Sequence, residues 1–201
     1  MTALTMAAIA LLPCTADLIA APTDLETRMR SLAQVIQVEA EYREAVELSL
    51  LEQPLESRGH LSYQAPDRLT KTSDRGDAVH IDGDRIELIE GGRKTQFMIS
   101  DHAALANVVL ALRATFAGDL ERLRSLFQLD YQPRADGWTL ALTPRERGIG
   151  NIVQTIRIEG ADNRIDRLEI LEGNGDRRSM RLSDQHLLAC PGPDKDCRRT
   201  Q

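Results

Sequence analysis

Few residues in this chain are placed to do chemistry, and each candidate fails on spacing or neighbourhood. The four histidines, His60, His80, His102 and His186, are scattered, and none belongs to a metal spacing such as HExxH. Ser183, Asp184 and His186 supply the residue types of a hydrolytic triad. As near neighbours in sequence they cannot adopt its geometry, and there is no Gly-x-Ser-x-Gly elbow. Asp82-Gly83-Asp84 offers carboxylates for calcium, but a hairpin turn accounts for the same residues. Gly148-Ile149-Gly150 lacks the preceding strand, the following helix and the third glycine of a dinucleotide site, and reads as a loop. No catalytic residue, metal ligand or cofactor is therefore expected, and the chain is not read as an enzyme.

Composition narrows the partners. A net charge of −6 argues against nucleic acid, because phosphate binding needs a concentrated basic face. Basic residues instead alternate with acidic ones, as in Asp67, Arg68, Lys71, Asp74, Arg75 and Asp77, the pattern of a solvated surface. Aromatic residues make up 3% of the chain, so any cavity must be walled mainly by Leu, Ile, Val and Met.

The first 21 residues are apolar and rich in alanine. The run Leu4–Leu12 is shorter than the ~20 residues that span a bilayer. It suits the core of a signal peptide, with Cys14-Thr15-Ala16 as a small-residue cleavage site. The n-region lacks Lys and Arg, and an N-terminal core helix or a later start codon are the alternatives. Pro13 before Cys14 speaks against a lipoprotein signal. Cleavage would leave Cys190 and Cys197, an even pair in a Pro/Gly-rich tail, which reads as a disulfide in an exported protein. Closing so small a loop contributes about 2.5 kcal/mol in the chain-entropy model. A metal site is a poor alternative, since no further Cys or His stands at ligand spacing. Residues 1–21 are thus expected to be a signal peptide, 22–185 the single domain, and 186–201 a polar tail.

The elements follow from pattern. Thr23-Asp24-Leu25-Glu26 is a capping box, and Leu25, Met29, Leu32 and Ile36 recur at helical spacing. From Val38 the period changes to two, giving a long half-buried strand to Leu50. Glu44 falls on its apolar side and marks a bulge or the end of the buried zone. Short strands are predicted at 60–64, 68–72, 78–81, 85–90 and 95–99, with Asp82-Gly83 and Gly91-Gly92 as hairpin signals. Ser100-Asp101 caps a helix, Ala103–Ala114, that is apolar on nearly every face and must be covered on more than one side. A short helix from Asp119 to Leu126 follows. Strands return at 128–132, 138–143, 152–159, 164–171 and 177–182. Successive antiparallel strands without βαβ crossovers give a mainly β (α+β), up-and-down sheet.

If one face of every strand points inward, the sheet offers Leu61, Tyr63, Leu69, Ile81, Ile86, Leu88, Phe97, Trp138, Leu140, Leu142, Ile156, Ile158, Leu168 and Ile170 to a common interior. The apolar helix adds Leu105, Val108, Val109 and Leu112. One helix cannot fill such a concavity, and an acyl chain entering it would gain roughly 0.8 kcal/mol per methylene. A packed sheet-on-helix core explains the same pattern without any cargo.

Over about residues 24–183 the chain resembles the periplasmic outer-membrane lipoprotein carrier (LolA) family, and most closely its divergent LolA-related members. The resemblance is carried by Asp24-Leu25…Arg28-Met29 and the long strand after it, by Gly59-x-Leu61 with Pro66 five residues on, and by Ile81-Asp82-Gly83…Ile86. Trp138–Pro144, Ile156-x-Ile158, Ile165 and Arg177…Met180-x-Leu182 complete it. It implies an incomplete antiparallel β-barrel (half-barrel) with helices covering the open face, holding acyl chains in a hydrophobic cavity. The helix Ala103–Ala114 would be the lid. It also implies a monomeric periplasmic protein with lipoprotein or other lipid cargo, an inner-membrane donor and an outer-membrane acceptor. In place of the family's arginine before the proline stands Ala65, and in place of a phenylalanine after it stands Leu69. The C-terminal extension gives way to the Cys190–Cys197 tail. Lid closure is accordingly expected to rest on apolar packing, with cargo not confined to lipoproteins. A non-catalytic protein-interaction or sensor module on the same scaffold, with a filled cavity, is the competing function.

Overall fold

The computed structural model describes residues 24–146 and 152–190. The expected signal segment, the capping Thr23, the loop Gly148–Gly150 and Cys197 lie outside them.

Helix α1 (Asp24–Leu32) leads into a long strand, β1 (Val35–Glu47). Five strands then follow by short turns: β2 (Leu55–Gln64), β3 (Arg68–Ser73), β4 (Ala78–Asp82), β5 (Arg85–Glu90) and β6 (Arg93–Met98). A 3-10 turn (Ile99–Asp101), α2 (Ala103–Phe116) and α3 (Leu120–Leu126) interrupt the meander. The second run of strands is β7 (Phe127–Arg134), β8 (Gly137–Pro144), β9 (Val153–Ala161), β10 (Arg164–Glu172) and β11 (Arg177–Ala189).

All eleven strands join one antiparallel sheet in the order β6-β5-β4-β3-β2-β1-β11-β10-β9-β8-β7. The first and last strands meet in the middle. The outer edges, β6 and β7, do not pair with each other, so the barrel is incomplete. The chain passes from one edge to the other through α2 and α3, which carries the helices across the open side.

Local chemistry explains most of the boundaries. Gly91 and Gly92 both take positive φ in the β5–β6 hairpin, and Gly83 does so between β4 and β5, as hairpin turns require. Asp119 caps α3 by accepting the Arg122 N–H at 2.9 Å. The expected Ser100-Asp101 cap on α2 is not used: these residues form the 3-10 turn, and His102 stands at the N-cap without a side-chain hydrogen bond. Ile36, assigned to the first helix by spacing, belongs to β1, because α1 ends at Leu32. The last strand extends well past Leu182. Glu39, Val38, Gln37 and Val35 of β1 pair with His186, Leu187, Leu188 and Ala189, a pairing that local sequence does not reveal. Gly59, part of the family pattern, sits where β2 and β3 come close, and a Cβ there would lie 2.0 Å from the Thr72 carbonyl oxygen.

Candidate functional site

The strands bring their alternate apolar residues to one inner face, under α2. None of the described side chains of α2, from Ala106 to Phe116, is exposed. Along this stretch Asn107, Val109, Ala111, Ala114, Thr115 and Phe116 are buried and the others half-buried, so the helix has substantial cover, as its apolarity demands. Beneath it lies a cavity of about 350 Å³, at the small end of the ~300–1,000 Å³ usual for ligand sites. Val108, Val109, Leu112 and Phe116 form its roof. Leu61, Leu69 and Val79 wall one flank, and Val153, Ile165, Leu168, Ile170, Met180 and Leu182 the other. Two larger depressions, each about 720 Å³, are lined by polar side chains such as Arg43 and Arg181, and no helix contributes to either.

The expected site residues divide between hollow and solid. Leu61, Leu69, Val108, Val109, Leu112, Leu168 and Ile170 line the cavity. Tyr63, Ile81, Ile86, Trp138, Leu140, Leu142, Ile156 and Ile158 are buried in close-packed core and do not. Leu88 and Phe97 are half-buried in the outer strands β5 and β6. Leu105 lies outside the described side chains. Cys190 is buried and disulfide-bonded, while its expected partner Cys197 lies outside the described residues.

One end of the cavity is charged. Glu44, only 7% exposed, accepts a short hydrogen bond from Lys71 Nζ and another from Ser57 Oγ at 3.2 Å, and lies 3.5 Å from Arg178 Nη1. Lys71 Nζ also sits 4.7 Å from the centre of the Tyr42 ring, at cation–π distance. Register places all three charges on the inner face: Lys71 pairs with Leu61 and Val79, Glu44 with Met180, and Arg178 with Ile170. Lys71 is therefore not part of the solvated surface it resembles in sequence. The period-two step from Leu69 to Lys71 was the available signal. Glu172 continues the period-two run of Leu168 and Ile170, and Arg178 that of Met180 and Leu182, so the same signal marks them as lining the cavity.

The contact between α2 and the sheet is not purely apolar, contrary to expectation. Arg113, near the end of α2, donates to the Gly83 carbonyl at 2.7 Å and pairs with Asp67 at 3.3 Å. Asp67 follows the cis Ala65–Pro66 peptide, so the sheet supplies the acceptors and the helix the cation.

Among the described residues, no group of three or more His, Cys, Asp or Glu side chains could hold a metal ion. No helix there is long and apolar enough to cross a membrane. His60 pairs with Glu39 at 2.6 Å, and His80 shares a hydrogen bond with Thr70, roles that stabilise strands rather than gather at a centre.

Among solved structures the chain is similar to a LolA superfamily protein from Nitrosomonas europaea (9% identity, 85% of this chain and 96% of that one, TM-score 0.44). It is also similar to a DUF1329 family protein from Desulfovibrio piger (11% identity, 87% and 93%, TM-score 0.45). LprF from Mycobacterium bovis is a third such structure (9% identity, 84% and 94%, TM-score 0.36). No curated protein sequence matches. Assignment rests instead on sequence: the family described as outer membrane lipoprotein carrier protein LolA-like matches residues 19–189. The chain belongs to this LolA-like carrier family.

Proposed function

We propose that the protein is a periplasmic carrier, exported by its N-terminal segment, that shields an acyl chain of lipid or lipoprotein cargo on the way to the outer membrane. The observation that carries this reading is the largely aliphatic cavity of about 350 Å³ under α2. An acyl chain placed there leaves water along the aliphatic walls, at roughly 0.8 kcal/mol gained per methylene buried. No step of catalysis is required. The work is binding, shielding and hand-over from an inner-membrane donor to an outer-membrane acceptor, performed as a monomer by the domain that runs from residue 22 to the end of β11 at Ala189. A Cys190–Cys197 disulfide would tie the segment after Ala189 to the end of β11.

Native mass spectrometry after gentle purification from envelope extracts tests the reading, with co-purifying lipid as the expected result. A protein that is always empty and binds no fluorescent fatty acid would overturn it in favour of an interaction or sensor module. Val109→Asp would put a carboxylate into the roof of the cavity and is expected to abolish fatty-acid binding. Unchanged binding would place the cargo elsewhere.

A further inference from the structure

We infer that the cavity selects a single-chain amphiphile with an anionic head, and that the head is held between Lys71 and Arg178. The inference rests on the carrier reading and specifies the end of the cargo that the apolar wall cannot recognise.

Three observations carry it. First, the charges lie on the inner face at one end of an otherwise aliphatic cavity, where an entering chain would leave its head. Second, the contacts there are unequal. One carboxylate, Glu44, serves two cations, one through each oxygen. Arg178 makes no other ion pair among the described residues, and it reaches Glu44 at 3.5 Å. A guanidinium carries five N–H donors and an ammonium three, so both cations keep donors for a second anion. Glu172 lines the same end and pairs with neither of them. It sets a limit on where the head can lie, leaving the side of the cavity between Lys71 and Arg178.

Third, stability alone does not account for the cluster. Arg178 is 42% exposed at the rim of the cavity and only the Glu44–Lys71 pair is largely buried; burying such a pair in place of well-packed apolar side chains is usually neutral or unfavourable. Leu61, Val79 and Ile170, the strand partners of the two cations, show that aliphatic residues fit this face. Charges kept there serve recognition. Glu44 holds Lys71 and Arg178 in place while the cavity is empty, and an incoming carboxylate or phosphate competes with it for their hydrogens.

Titrating the purified full-length protein with oleate, oleyl phosphate and oleyl alcohol, which share one chain, isolates the head. Oleate or oleyl phosphate is expected to bind about tenfold or more tightly than the alcohol, as suits one charge-assisted hydrogen bond. The better of the two identifies carboxylate or phosphate as the natural head. Arg178→Gln and, separately, Lys71→Gln should each shrink the ratio of anion to alcohol affinity to about threefold or less, read on protein whose thermal melting shows it folded. Glu44→Gln removes the competing carboxylate and should strengthen binding of the anion. Equal binding of all three probes by the unaltered protein would overturn the anionic-head inference and leave the carrier reading intact. Binding of none would overturn the carrier reading, and the inference with it.

Discussion

The inner face of the sheet is solid around Trp138 and hollow beneath α2, and the difference lies in how its side chains meet. On the solid side, Trp138 on β8 is 1% exposed and packs with Leu140, Leu142, Ile156 and Ile158, all fully buried. Its indole N–H donates to the Asp162 carbonyl at 3.2 Å, and Arg28 of α1 lies over its ring. Gly160, its partner across the strands, clears room for it: a Cβ there would stand 2.7 Å from the indole. Phe127 and Leu123 complete the packing with no exposed surface. On the hollow side the walls are Leu, Ile, Val and Met, with Phe116 alone among the aromatics lining the space, its ring stacked on Tyr63 at 4.7 Å. Planar rings fill the first side. Short branched chains under one helix leave a gap on the second, and the sequence closes its far end with charge rather than with another ring.

The largest expected effect separates the two sides by truncation. Trp138→Ala should cost about 3–5 kcal/mol, because it opens a void in close-packed core. Leu112→Ala should cost only about 1–2 kcal/mol, since the side chain already borders empty space and is half-buried. Urea unfolding of both variants measures the gap, and equal losses would mean that the cavity is packed in solution. Filling gives the complementary test. Ile158→Phe overpacks the solid side and should cost about 1–3 kcal/mol. Val109→Phe grows into the cavity, should change stability by less than about 1.5 kcal/mol, and should reduce oleate binding sharply.

A smaller effect concerns how the hollow side is kept closed. Arg113→Gln removes the charged donor to Gly83 and Asp67, a pair whose side chains are 19% and 34% exposed. Allowing for solvent screening, the loss should be about 1 kcal/mol. Its signature is local: amide hydrogen exchange should quicken along α2 and stay unchanged in β8 and β9. Faster exchange in all three would make Arg113 a general support rather than a latch.

These sides differ in how far the sequence reveals them. Strand alternation placed Leu140, Leu142, Ile156 and Ile158 on one face, and that face is the buried one. The same rule could not tell a filled region from an empty one, because both are apolar with period two. Volume depends on which side chains meet across strands distant in sequence, as Trp138 meets Gly160. The charged end is hidden for a related reason. Lys71, Glu44 and Arg178 belong to three strands, and although alternation puts each on the inner face, their meeting is visible only once β1 is seen to pair with both β2 and β11. Arg113 shows the same limit: in a helix read as a greasy lid, its acceptors lie thirty residues away at Gly83 and further still at Asp67.

The smallest expected effect is a pH dependence confined to the charged end. Asp176, in the turn before Arg177 and Arg178, accepts the Ser49 amide at 2.7 Å, joining the β10–β11 turn to the segment after β1. That hydrogen bond, helped by Asn174, holds the Asp176 carboxyl below its ordinary range. A carboxyl depressed by folding stabilises the folded state fully above its unfolded pKa of about 3.9 and loses that contribution as pH falls through the lower folded value. The Ser49 amide should therefore exchange faster as pH drops from about 5 toward 3, after correction for intrinsic exchange. Asp176→Asn should flatten that response, since an amide keeps an acceptor oxygen but does not titrate. The amides of Thr139 and Leu140, on the solid side, should show no matching change. If they loosen in step with Ser49, acid acts on the whole sheet, and the two sides do not open independently.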